Sequence, residues 1–255
     1  MTLLTTFRSE ILKTKRTASF YLTIIAAAFG PFLTLLDVVM GEGIPMDDRA
    51  VILNKLLVDR FEMTGLVAMP FFIILICTLL QQVEYKNNAW KQVLTSPQTR
   101  ANIFIAKFMN VQLLIAVFMI TNLLLMFGSA AILHFKDPSL RLFNQSLDWN
   151  GILQIRATGY MVLLAMCTIQ FWLGLRFKNF IIPISIGICG WFLGTLLVIP
   201  MKSPIAAFFP YSFHVYTNLP ALKPELTKIC WASFGYAALF LLVGFWDFRR
   251  KRMNG

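Results

Sequence analysis

The chain has 255 residues, of which 58% are hydrophobic and 14% charged, and its formal net charge is +11. Soluble domains carry about 25% charged residues, so a soluble chain of this composition would have too little polar surface to cover its apolar side chains. The composition therefore excludes an ordinary soluble domain and predicts a membrane protein. Because the basic residues stand at the ends of apolar runs, their excess indicates membrane topology, and we expect no nucleic-acid partner.

Residues 1–16 predict an amphipathic helix that lies on the membrane surface. The apolar side chains of this segment share one helical face, which holds Leu3, Leu4, Phe7 and Ile11. Most of the basic side chains, including Arg8 and Lys13, fall on other faces. This pattern is typical of an interfacial helix rather than of a cleavable signal peptide.

Six uncharged apolar runs are long enough to cross a bilayer, since a spanning helix needs roughly 20 apolar residues. They predict spans at about 17–38, 63–83, 103–133, 154–175, 179–200 and 228–247. The alternation expected of a membrane barrel is not visible, and only a helix then satisfies its own backbone in lipid. We therefore predict an all-α integral membrane protein, in which residues 1–255 form one transmembrane domain.

A seventh uncharged stretch, residues 203–222, contains Pro204, Pro210 and Pro220. Three prolines in such a length would break a spanning helix. We expect a re-entrant segment on the side of the membrane opposite the N-terminus, because non-helical backbone at depth needs cover from protein or water.

The distribution of basic residues predicts that both termini lie in the cytoplasm. With that orientation, the inner segments contain 14 of the 23 basic residues, namely Arg8, Lys13, Lys15, Arg16, Lys86, Lys91, Arg100, Lys107, Arg176, Lys178, Arg249, Arg250, Lys251 and Arg252. The outer segments contain the other nine together with most of the acidic residues. The sequence also lacks the HExxH, GxSxG and GxxxxGK motifs, so it predicts neither a catalyst nor a metal site.

Few ionisable residues fall inside the predicted spans. Asp37 stands near the outer end of the first span, and we expect Lys107 to extend its ammonium group to the inner membrane surface. We find none deep in a span, where a charge would be a default functional candidate. Some amides inside the spans are expected to hydrogen-bond between helices, although they could instead line a path through the protein; examples are Asn110, Gln112, Asn122 and Gln170.

The connection between the second and third spans, residues 84–100, is the most informative part of the sequence. It begins at Glu84, has Trp90, Val93 and Leu94 at helical spacing, and is stopped by Pro97. We expect a short amphipathic helix in which Trp90 is exposed as an anchor for a cytoplasmic partner. The alternative is an ordinary interfacial helix whose tryptophan lies among lipid headgroups.

The same residues resemble the permease subunit of an ATP-binding cassette (ABC) transporter of the type-2 exporter family. The resemblance rests on an acidic residue, a short helix, a proline and a basic residue, which here are Glu84, the segment Tyr85–Thr95, Pro97 and Arg100. The opening Phe7-Arg8-Ser9-Glu10-Ile11-Leu12-Lys13 also resembles this family, and in particular its bacterial branch linked to lantibiotic immunity.

The resemblance implies a non-enzymatic transport subunit in the bacterial cytoplasmic membrane. It implies a coupling helix at 84–100, two copies of a separate ATPase subunit that bind ATP and magnesium, a second permease copy, and contact with membrane lipids. The implied coupling residues are Glu84, Tyr85, Lys86, Trp90, Lys91, Pro97 and Arg100, and the implied interfacial-helix residues are Phe7, Arg8, Glu10 and Lys13. The substrate would be a hydrophobic or amphipathic peptide, lipid or drug. A membrane scaffold or sensor, and a membrane enzyme acting on lipid or peptide, remain alternatives.

Overall fold

A computed structural model describes residues 2–15, 17–40, 52–87, 90, 98–140, 142 and 145–250. Within these ranges the regular structure is helical and contains no strand, which confirms the predicted all-α class. Six helical stretches of the described chain are long and apolar enough to cross a membrane, also as predicted.

The α-helices are numbered in chain order. They are α1 (Leu3–Thr14), α2 (Ala18–Ala27), α3 (Phe29–Met40), α4 (Ile52–Met63), α5 (Met69–Lys86), α6 (Arg100–Lys136), α7 (Trp149–Arg176), α8 (Ile181–Val198) and α9 (Leu226–Arg250). A π-helical turn, Thr64–Ala68, joins α4 to α5, and short 3-10 turns occupy Pro138–Leu140, Pro204–Phe208, Phe213–Thr217 and Pro220–Glu225. Helices α2 and α3 together form the first span, and α4 and α5 the second.

Contacts between connections show that the spans run alternately up and down. The Arg100 guanidinium donates to the Arg249 carbonyl, and the Tyr85 hydroxyl donates to the Leu175 carbonyl at 2.6 Å. These residues therefore share one end of the bundle, called here the N-terminal end because α1 also lies there. At the opposite, distal end, the Lys223 ammonium lies 3.0 Å from the Glu62 carboxylate.

The second span begins earlier than the apolar run suggests, because α4 carries charged residues yet continues into α5 through the π turn. Its apolar side chains pack at the distal end against those of α6 and α7, forming a separate small core that includes Leu53, Leu57, Phe61, Met126, Leu133 and Ile152. Burial of these apolar side chains stabilises α4, although its other face carries charged residues.

The main core lies between α5, α6 and α7. Phe72 stacks on Phe118 with ring centroids 4.7 Å apart, and both side chains are buried. Helix α7 approaches α5 closely at Gly174, where an added Cβ would lie 2.5 Å from the Cys77 carbonyl oxygen. Small residues allow such approaches, which are a main source of helix association in lipid.

Two prolines interrupt the spans, and a side chain from another helix compensates for each. Pro31 cannot donate to the Ala27 carbonyl four residues earlier, and the Asn122 amide donates to it instead at 2.8 Å. Pro70 likewise leaves the Leu66 carbonyl without its usual donor, and the Trp191 indole N–H donates to it at 3.1 Å. Neighbouring side chains thus supply the hydrogen bonds that proline removes from a membrane helix.

Residues 203–222 form short turns rather than a spanning helix, as their prolines predict. The centre of the segment is nevertheless buried, since Phe213, His214 and Val215 are at most 1% exposed. The backbone of this segment packs closely against α8 at Gly194, where an added Cβ would lie 2.4 Å from the Tyr211 carbonyl oxygen.

Candidate functional site

Helix α1 packs on the bundle through a polar stripe. Thr6, Glu10 and Thr14 recur every four residues and are buried, whereas Leu4 on the apolar face is 74% exposed. The Asn110 amide of α6 donates to the Thr14 hydroxyl at 2.7 Å. This arrangement leaves apolar side chains of α1 free to meet lipid, as an interfacial helix requires.

Four charged side chains from three helices meet beside this stripe. The Lys107 ammonium of α6 lies 2.6 Å from the Glu84 carboxylate of α5 and 3.0 Å from the Glu10 carboxylate of α1. The Lys13 ammonium lies 2.9 Å from Glu84 and 2.6 Å from Glu10. We call Glu10, Lys13, Glu84 and Lys107 the charge cluster. Its two positive and two negative groups balance, which is the condition under which charges are buried.

Burial and ion pairing act in opposite directions on the two α1 members of the charge cluster. Burial alone would raise the pKa of Glu10, but the Lys107 and Lys13 ammonium groups outweigh it and hold that pKa below its ordinary value. Burial would lower the pKa of Lys13, but the Glu84 and Glu10 carboxylates raise it instead. The ion pairs thus favour the ionised forms of Glu10 and Lys13 by more than burial disfavours them, so these two side chains stay charged at neutral pH.

The expected exposure of Trp90 is wrong. Its side chain is 1% exposed and lies between Tyr85 and Phe248, with ring centroids 5.3 and 6.0 Å away. The Lys107 ammonium lies 5.3 Å from the indole centroid, within cation–π range. A side chain with this much apolar area and a cationic neighbour is more stable between helices than in water, so Trp90 joins the core beneath the charge cluster.

The expectation for Lys107 also needs correction. Lys107 does not extend to the membrane surface, because its side chain is 2% exposed and two carboxylates surround its ammonium group. Glu84, whose side chain is 3% exposed, is directed at Lys13 and Lys107, and a partner protein could not reach its carboxylate without opening the cluster.

The other predicted site residues fall into three groups. Tyr85 anchors α5 to the end of α7, and Arg100 links the start of α6 to the end of α9. Lys86 and Arg8 are exposed, and Phe7 is half-buried. Lys91 and Pro97 lie outside the described residues, as does most of the predicted coupling helix.

The intramembrane amides named from the sequence hydrogen-bond between elements, as expected. Besides the Asn110 and Asn122 bonds, Gln112 accepts from the Tyr160 hydroxyl at 2.6 Å, and the Gln170 amide and the Tyr211 hydroxyl lie 2.8 Å apart.

The sequence did not reveal that the half-buried Arg156 makes contacts with other helices. Its guanidinium donates to the Asn122 amide oxygen at 3.2 Å and to the Met119 carbonyl, and lies 4.6 Å from the Phe61 centroid. Arg156 stands at the polar end of an apolar run, and the groups that contact it belong to other helices, so the sequence offered no signal for these contacts.

The charge cluster links three helices at the N-terminal end. Among the described residues, no group of three or more His, Cys, Asp or Glu side chains could hold a metal ion. The charge cluster joins α1, the end of α5 and the beginning of α6, and its charges are all neutralised by one another. The Glu84–Lys107 ion pair thus joins the end of α5 to the first turns of α6.

Comparison with known families agrees with this architecture. Residues 6–194 match the family described as ABC-2 family transporter protein, which covers most of the chain. No curated protein sequence matches the chain. The chain therefore belongs to the ABC-2 transporter family, as the sequence resemblance predicted, and is a multi-pass membrane permease subunit of the ABC transport class.

Proposed function

We propose that this permease exports a hydrophobic or amphipathic substrate with energy from a separate ATPase subunit that binds residues 84–100 at the N-terminal end. The charge cluster carries the proposal. Glu84 and Lys107 stand on either side of this connection and pair with each other at 2.6 Å, and both also pair with α1. A displacement of the connection would therefore move α5, α6 and α1 together.

The proposed cycle follows from this linkage. Two ATPase subunits bind ATP and magnesium and approach each other, and the connections bound to them move with them. The charge cluster passes the displacement to α5 and α6, which changes access to the transport path. Such coupling requires that the two permease conformations differ in their free energy of binding to the nucleotide-bound ATPase.

The proposed assembly contains two permease copies and two ATPase subunits in the bacterial cytoplasmic membrane, with both permease termini in the cytoplasm. Six spans expose much apolar helix surface, since only 22% of the residues of α8 are buried within one chain. A second copy covering part of that surface would complete a path between the subunits. The substrate class includes peptides, lipids and drugs, and resistance to antimicrobial peptides is the specific role suggested by the N-terminal motif.

Site-directed cross-linking tests the proposed docking site. In a variant whose four cysteines are replaced by serine or alanine, Asn87→Cys should cross-link to a co-expressed cognate ABC ATPase. Lys178→Cys is the matched control, because it is exposed at the same end but belongs to the short connection between α7 and α8. The native mass of the complex should correspond to two permeases and two ATPases.

ATP-dependent transport separates export from the alternatives. In membrane vesicles that contain the complex, the amount of a fluorescent phospholipid or cationic amphipathic peptide should change only when ATP is present. An ATPase that cross-links equally from both cysteines would contradict the docking site. If the complex is stable but neither its cross-linking nor the distribution of the ligand depends on nucleotide, the result would instead support a membrane scaffold.

A further inference from the structure

A cavity of about 660 Å³ lies at the distal end, away from the charge cluster. The end of α8 and the turns at Pro204–Phe208 and Pro220–Glu225 form its wall. Most of the lining is apolar and includes Val198, Ile199, Ala206, Ala207, Leu219 and Leu222. The volume is within the range of small-molecule sites, which are about 300–1,000 Å³.

Two charged residues of opposite sign also line this otherwise apolar cavity. Lys202 and Glu225 are both exposed, and neither forms an ion pair with another residue of the described chain. They could therefore pair with a ligand that carries both a negative and a positive group. An apolar body with a zwitterionic head is complementary to this lining.

The backbone at Lys202 adds an independent indication. Its φ is +45°, which makes it the one non-glycine residue with positive φ in the described chain. This conformation is unfavourable for a side chain with a Cβ, and such strain is concentrated at ligand-binding and functional sites. The conformation places a cationic side chain at the turn that leads from α8 into the cavity wall.

Apolar side chains around the cavity indicate that it opens at the level of the bilayer. Ile199, Ile205 and Phe208 are 44%, 65% and 74% exposed. Side chains of this kind are unfavourable in water but suit contact with lipid chains. A lipid could therefore enter the cavity sideways, without crossing an aqueous phase.

We propose that this cavity binds a zwitterionic phospholipid, with an acyl chain against the apolar wall, the phosphate at Lys202 and the amine at Glu225. The inference is independent of the proposed transport function, since it concerns binding by the permease alone.

The probe is a phosphatidylethanolamine that carries a photoreactive acyl chain, incubated with the purified full-length permease in nanodiscs. Labelling should map to residues 198–225 and should be competed by unlabelled phosphatidylethanolamine more strongly than by phosphatidylglycerol, which has the phosphate but no amine. Ala207→Trp fills the cavity and should lower labelling there by about tenfold. Ala238→Trp, at an exposed position on α9, is the matched control and should leave labelling unchanged.

Two exposed substitutions test the charges without disturbing the core. Lys202→Gln should weaken competition by both lipids, whereas Glu225→Gln should remove the preference for phosphatidylethanolamine over phosphatidylglycerol. The proposal is overturned if Ala207→Trp does not reduce labelling, or if the wild-type permease shows no preference between the two lipids. It is also overturned if Lys202→Cys forms a disulfide between two permease copies in high yield, because the cavity would then be covered by the second copy.

Discussion

Trp90 lies beneath the charge cluster, in contact with side chains of three helices, so its substitution must affect folding. Trp90→Ala would leave a large cavity, and such truncations destabilise soluble proteins by about 3–5 kcal/mol. We therefore expect a lower midpoint of thermal unfolding and less protein in the membrane. Trp90→Phe retains most of the apolar contact and should recover most of the loss. Normal accumulation of the alanine variant would contradict the burial of Trp90 and restore its role as a surface anchor.

The charge cluster predicts non-additive effects. Lys107→Met leaves Glu10 and Glu84 buried without one of their cations, and breaking a buried ion pair typically destabilises by about 3–5 kcal/mol. Adding Glu84→Gln removes one of these unpaired charges, so the double variant should be less destabilised than the sum of the single variants. Thermal unfolding of the four proteins in one detergent measures this difference. Additive losses would show that the two side chains act independently.

Burial of His214 predicts that acid will weaken the turns at the distal end. Burial lowers the pKa of His214 to about 3, below its ordinary value of 6.5. The unfolded segment therefore binds more protons between these two pH values, and stability falls as pH falls below about 6.5. Between pH 7 and pH 5, the free energy of unfolding this segment falls by about 2 kcal/mol.

Hydrogen exchange of residues 204–225 measures this effect. The exchange rate, corrected for its intrinsic pH dependence, should rise at pH 5 relative to pH 7. His214→Phe keeps a ring to stack on Trp191, whose centroid lies 6.2 Å away, and should abolish the rise. An identical pH response in the phenylalanine variant would assign the acid sensitivity to other groups.

At the scale of elements, the sequence predicts those helices and breaks that depend on local residue patterns. Apolar runs predicted the six spanning helices, and prolines predicted the break at 203–222. The extension of the second span into α4 was missed, because Lys55, Asp59 and Arg60 lower its hydropathy. Leu53, Leu57 and Phe61 have helical spacing in the sequence. Their burial depends on contacts with α6 and α7, which the sequence does not show.

The charge cluster could not be predicted for a similar reason. Glu10 is 97 residues from Lys107, and Lys13 is 71 residues from Glu84. Each residue alone has the features of an interfacial charge, and their mutual burial depends on how α1 docks. The sequence located the connection at 84–100 but not the ion pairs that hold it.

At the scale of the whole molecule, the alternation of spans makes the sidedness of the protein testable. Lys202→Cys and Lys223→Cys flank the turns of the distal end, and both should react with an impermeant thiol reagent added outside the cell, in a cysteine-free background. Lys178→Cys, at the N-terminal end, should react only after the membrane is opened. External labelling of Lys178→Cys would reverse the proposed orientation, and opposite labelling of Lys202→Cys and Lys223→Cys would make the segment between them a true span.

The two compensated prolines have an evolutionary consequence. In each of two pairs, a proline leaves a carbonyl without its helical donor and the other residue donates to that carbonyl. The pairs are Pro31 with Asn122 and Pro70 with Trp191. The fitness cost of losing Asn122 should therefore depend on whether position 31 is proline. In a library that varies both positions, leucine at 122 should be depleted more strongly beside Pro31 than beside alanine at position 31, because the N–H of alanine restores the helical bond to Ala27; the cost of losing the Arg156 bond is the same in both backgrounds. The same epistasis should link positions 70 and 191, so each proline and its hydrogen-bond donor would be gained or lost as a pair.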